Sequence, residues 1–184
     1  MAEGFLSRMN RQSTLIQTNI RWLGQAIRLL DRLDDAMYAA TAPGLDPHRA
    51  GAHLRHIIEF YQAFLNGVQS GRIDYDARRR DECVERSRSA AAAAIQSIIR
   101  TLDTCPALRS DSILSVRMED AEGGGDCYMQ SSISRELQVL SSHTIHHFAL
   151  IAVTLRMHGV DMDPDFGMAP STLRYLASKA AVAA

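Results

Sequence analysis

Apolar residues recur at helical spacing over most of the chain, and that period predicts helices. In "QSTLIQTNIRWLGQAIRLLDRLDDAMYAA", Ile16, Ile20, Leu23, Ile27, Leu30 and Met37 form one stripe, with arginines and aspartates between them. "TAPGLDP" ends this first helix. Asp46 followed by Pro47 opens the second, a capping carboxylate before a proline in the first turn. That helix covers "HRAGAHLRHIIEFYQAFLNGVQS" and stops near Gly71, with Leu54, Ile57 or Ile58, Tyr61, Leu65 and Val68 as its stripe. "GRIDYDARRRD" reads as a charged link. A third helix is predicted over residues 81–104, through the alanine run at 90–94, and "TCPALRSD" breaks it.

The period then changes. Residues 113–118 alternate in polarity and the glycines at 123–125 mark a hairpin turn, so two short strands are expected. A fourth long helix follows over residues 134–158, closed by Gly159, and one short helix can form after Pro170. These elements imply an all-α fold in one domain over residues 1–184. Four long helices pack as a bundle, with a short β-hairpin inserted between the third and the fourth. Bundles build metal and ligand sites between facing helices.

Composition narrows the function. The 184 residues are 46% hydrophobic and 22% charged, an ordinary globular mixture. A net charge of −1 gives no drive toward nucleic acid or an anionic membrane. No run of about 18 apolar residues offers a membrane span, and the N-terminus lacks an apolar segment of signal-peptide type. Cys83, Cys105 and Cys127 are odd in number and widely spaced, which suits neither a disulfide framework nor a zinc knuckle. A cytoplasmic protein in a reducing compartment is expected.

Histidine placement is the strongest chemical signal. Three of the seven histidines, His143, His146 and His147, fall within "SSHTIHHFALIAVTLRMHG". His143 and His147 are four apart and share a helix face, which Leu140 and Leu150 extend. His146 is rotated about 100° from His147. His53 and His56 lie three apart on the second helix. An H-x-x-x-H pair with one imidazole from another helix suits a divalent transition metal (Zn, Ni or Fe), with coordination positions left open. The competing assignment is hydrogen-bonded core histidines. Two clusters on two helices favour the metal. His48 reads as a first-turn surface residue, and His158 as a cation at a helix C-terminus.

At these residues the chain resembles the DinB-like superfamily of damage-inducible, four-helix-bundle metalloenzymes. The resemblance runs through "GAHLRHIIEFYQAFLNG", "GRIDYDARRRD" and "HTIHHFALIAVTLRMHGV", from residue 51 to 160. It implies His56, His143 and His147 as metal ligands, with His53 in reserve for His56. It leaves two roles open for Glu59: holding an imidazole or a metal-bound water, or a solvated helix residue. The resemblance implies a small-molecule substrate, with transfer of a low-molecular-weight thiol as the first activity and isomerase or hydrolase chemistry beside it. The alternative is a non-catalytic, stress-associated bundle that binds metal or a ligand as a dimer. A homodimer is expected in either case. Phe148, Ala149 and Leu150 stand where many members carry polar residues, so no relative's substrate transfers directly.

The remaining candidates weigh toward structure. Arg78, Arg79 and Arg80 offer an anion site, but a solvated, salt-bridged helix start is preferred. Asp74 and Asp76 are near in sequence, with nothing requiring them at a metal. Tyr61, Tyr75 and Trp22 read as packing residues. The cysteines lack a histidine partner for nucleophilic work. "AEGGGD" lacks the helix N-terminus that a phosphate loop uses.

Overall fold

A computed structural model describes residues 2–41, 44, 48–118 and 127–182, with side chains from residue 11 to 181 within those ranges. The chain is mostly helical. In order it forms α1 (Ala2–Arg32), α2 (Asp35–Ala39), α3 (Ala50–Val68), β1 (Arg72–Asp74), α4 (Glu82–Arg86), α5 (Arg88–Thr104), a 3-10 turn (Pro106–Arg109), β2 (Ile113–Arg117), β3 (Met129–Ser132), α6 (Ile133–Met157) and α7 (Pro170–Val182). Helices α1 and α3 each pack against both α5 and α6. Leu23, Leu30, Leu54, Tyr61, Phe64, Ile95, Leu137 and Ile151 lie in the core they enclose. Among the described residues no helix is long and apolar enough to cross a membrane.

Two of the expected helices are interrupted. The stripe predicted through Met37 as one helix breaks after Arg32, because Asp34 adopts an extended backbone and its carboxylate accepts from the Met37 N–H at 2.7 Å. That cap starts α2 and turns Tyr38 inward, where its hydroxyl donates to the Val84 carbonyl at 2.7 Å. The helix predicted over residues 81–104 is likewise two helices. Ser87 is extended and its hydroxyl caps the Ala90 N–H. Arg88 then anchors the start of α5, donating its N–H to Asp35 at 2.9 Å and its guanidinium to the Leu30 carbonyl at 2.8 Å. In both places a local side-chain bond to the backbone competes with helix continuation and wins.

The hairpin between the third and fourth long helices is present as β2 and β3, antiparallel with Leu114 opposite Ser131. Its glycine turn, and the Asp46–Pro47 start signal, lie outside the described residues. The expected charged link is partly a strand. β1 pairs parallel to β2, Ile73 beside Val116, giving the sheet order β1-β2-β3. Ile73 and Tyr75, both fully buried, are the apolar alternation that the flanking charges obscure. Gly67 makes room for this return, since a Cβ there would collide with the Arg72 carbonyl. Gly159 ends α6 at φ +78, as its C-cap role requires.

One buried polar network fixes how α3 and α6 meet. Asn19 of α1 donates to the Leu15 carbonyl at 2.9 Å and the Leu137 carbonyl at 3.0 Å. Its own carbonyl accepts from the Tyr61 hydroxyl at 2.6 Å. Thr144 sits 3.3 Å from that hydroxyl and donates to the Leu140 carbonyl. A fully satisfied network of this kind specifies one packing arrangement. It lies beside His143 in sequence.

Candidate metal centre

His53 and His56 are carried on α3, His143 and His147 on α6, and these two helices pack together. The four-residue spacing puts His143 and His147 on one face, with ring centroids 4.5 Å apart. His56 meets both, at 4.8 Å from His143 and 4.7 Å from His147. Each of the three offers one nitrogen, and these nitrogens all lie within 4.8 Å of one another. Nitrogens held at about 2.1 Å by a tetrahedral ion are about 3.4 Å apart, so an ion would draw the rings slightly inward.

Aromatic rings back the cluster. Phe60 stacks on His143 at 4.1 Å and 18°, and Tyr75 stacks behind Phe60 at 4.9 Å. The Tyr75 hydroxyl donates to Glu136 at 2.8 Å, so this wall is anchored at its far side. Burial pushes the histidines down from their ordinary range: His147 to about 2, His56 to about 3 and His143 to about 4. Mutual repulsion adds to it, chiefly from His143 on both His147 and His56, and from His146 on His143. At neutral pH all three are uncharged and present lone pairs, the form a metal takes. Nε2 of His143 is buried with no hydrogen-bond partner. A buried ring nitrogen left without a partner is costly in a purely structural cluster, and in the tautomer that presents its lone pair a coordinated cation would satisfy it.

His53 is close but separate. Its Nδ1 lies 2.9 Å from Nδ1 of His147, and its Nε2 lies 3.2 Å from Nδ1 of His48. Of the two histidines in "HLRH", His56 joins the three-nitrogen group and His53 stands behind His147. His48 is exposed, as expected, but it also stacks on His53 at 5.2 Å. His146 is exposed and turned off the shared face. Among the described residues, neither Asp74, Asp76 nor any cysteine belongs to the group. Asp74 instead accepts from the Asp76 and Ala77 N–H groups and shapes the turn after β1. Trp22 is buried and donates to Ser141 at 2.8 Å. Phe148 is fully buried and packs on Phe166 at 4.6 Å, so it belongs to the core, while Ala149 is exposed.

For Glu59 burial excludes one of the two roles left open, and Arg78 departs from the sequence expectation. Glu59 is 4% exposed, so it is no solvated helix residue. One oxygen accepts from the Asp81 N–H at 2.9 Å, and the other lies 3.9 Å from both Arg55 and Arg78. Arg79 and Arg80 are exposed, but Arg78 is not part of a solvated helix start. Its Nη1 pairs with Nδ1 of His56, and its guanidinium carbon lies 5.2 Å from the centre of the Phe60 ring. The turn after β1 points it inward. The alternation Ile73, Tyr75 was the available sequence signal for that turn.

Comparison with known proteins adds little on function. No family model matches the chain, and no solved structure matches it. A curated protein from Rhizopus delemar, described as FK506-binding protein 5, is 35% identical over 106 residues. That match covers 56% of this chain and 27% of the relative, so the chain spans about a quarter of the relative's length.

Proposed function

We propose that the chain is a metal-dependent enzyme on a DinB-like four-helix bundle, with His56, His143 and His147 holding a divalent transition ion, zinc, nickel or iron. The observation that carries this reading is the convergence of three uncharged imidazoles from two helices, one with an orphaned buried nitrogen. The substrate class proposed first is a low-molecular-weight thiol. A three-histidine ion with open positions supplies the chemistry by lowering the pKa of a bound thiol or water.

The protein's own groups do the rest. Phe60 and Tyr75 form an aromatic wall on one side of the site. His53 engages Nδ1 of His147 and so leaves Nε2 as the nitrogen free to coordinate. At neutral pH these imidazoles remain unprotonated, so they would hold the ion there. The test is consumption of small thiols with a model electrophile by zinc-, nickel- or iron-loaded protein. Activity that chelation abolishes and His143→Ala eliminates is expected. Loaded protein that accelerates neither thiol transfer nor ester hydrolysis would sink the enzymatic reading.

A second reading, a non-catalytic ligand-binding dimer, is favoured by α7, which exposes Tyr175 and Leu176. Sedimentation that shows a monomer for the full chain would remove it.

A further inference from the structure

We infer that Arg78 is the substrate-recognition residue of this site and that the substrate is a small molecule carrying a carboxylate. The inference rests on the metal reading above and names the substrate class for it. It starts from an incompatibility. A guanidinium only donates and never loses its proton. Nδ1 of His56 therefore faces Arg78 with its lone pair. If His56 binds metal through Nδ1, that lone pair is taken. If it binds through Nε2, the neutral ring carries its proton on Nδ1, which then faces another N–H. Either way, loading the metal releases Nη1 of Arg78.

The released cation has little to neutralise it. Arg49, Arg55 and Arg78 share two carboxylates, Glu59 and Glu85, and the Arg78–Glu59 contact is 3.9 Å rather than hydrogen-bonded. Nε of Arg78 is buried without a partner. A cleft of about 360 Å³ opens on the same side chain, lined by Glu59, Gln62, Asn66, Ala77, Arg78 and Arg79. No histidine lines it, so Arg78 stands between the cleft and the three imidazoles. A ligand lying in the cleft and reaching the metal passes the guanidinium, whose planar fork matches a carboxylate in two parallel bonds. Phe60 supports the guanidinium from its ring face.

The experiment uses the full chain loaded with Co²⁺, read by its visible absorption. It is titrated with 3-mercaptopropionate and with 3-mercaptopropionamide, thiols of equal size that differ in charge. Wild type is expected to bind the carboxylate at least about tenfold more tightly than the amide, and Arg78→Gln to lose most of that preference. Arg78→Lys should recover part of it as a point charge. Because Arg78 competes with the ion for His56, Arg78→Gln should bind Co²⁺ at least as tightly as wild type. A preference unchanged in both Arg78→Gln and Arg78→Lys overturns the inference. So does Co²⁺ affinity that falls more than about tenfold in Arg78→Gln, which would make Arg78 a support for His56. Wild type that shows no Co²⁺ spectrum at all fails the metal reading itself, a result distinct from either.

Discussion

Nδ1 of His53 lies 2.9 Å from Nδ1 of His147, so two ring nitrogens share one proton. Only one arrangement leaves Nε2 of His147 free to coordinate. His147 donates from Nδ1 to His53, and His53 in turn donates from Nε2 to His48 at 3.2 Å. Partners that fix a ligand's tautomer typically change metal affinity by about 10–100-fold when removed. His53→Ala is expected to weaken zinc binding in that range, measured against a competing chelator. His53→Gln keeps a carbonyl acceptor and should recover part of the loss. Equal affinities for wild type and His53→Ala would show that the pair does not orient His147.

Acid should destabilise the metal-free protein. Folded His56, His143 and His147 titrate near 3, 4 and 2, whereas unfolded histidine titrates near about 6.5. Between those values the unfolded chain binds protons that the folded chain refuses, so stability falls as pH drops. These groups leave stability unchanged above pH ~6.5, and the loss accumulates as pH falls toward the folded values of about 4, 3 and 2. Urea midpoints at pH 7.5, 6 and 5 with chelator present should decline in step. The triple variant His56→Gln, His143→Gln, His147→Gln should show a flatter decline. An identical slope in the two proteins would contradict the burial argument.

The Asn19 network should matter more than a surface polar residue. Asn19→Ala removes the donor to the Leu137 carbonyl and the acceptor of the Tyr61 hydroxyl. Both groups are buried, and each unsatisfied buried group costs about 1–3 kcal/mol. A loss of roughly 2–5 kcal/mol in chemical unfolding is expected. Tyr61→Phe, which leaves only one acceptor unpaired, should cost less. A loss below about 1 kcal/mol for Asn19→Ala would mean that water replaces the side chain.

Much of this site is local in the chain and therefore legible. The four-residue step from His143 to His147 needs only a helix to place both rings on one face. The apolar stripes of α3 and α6 say which faces meet. Glycine at 159 signals the helix end without tertiary information. Arg78 is different. Its position depends on β1 pairing with β2, Arg72 beside Ser115, a contact between distant segments whose one local trace, the Ile73 and Tyr75 alternation, is masked by flanking charges. The interruptions at Asp34 and Ser87 depend on single cap bonds that a strong helical period conceals. Asn19 hides for the opposite reason: one polar residue in an apolar stripe looks like a gap until its partners on two other helices are known.

Metal content tests the central claim most directly. The full chain, prepared without a histidine tag, is exchanged into zinc, freed of loosely bound ion and measured by elemental analysis. Wild type is predicted to retain about one equivalent, and the double variant His143→Ala, His147→Ala less than about a tenth. Wild type that retains less than about a tenth, or a double variant that retains as much as wild type, would contradict a metal centre at His56, His143 and His147.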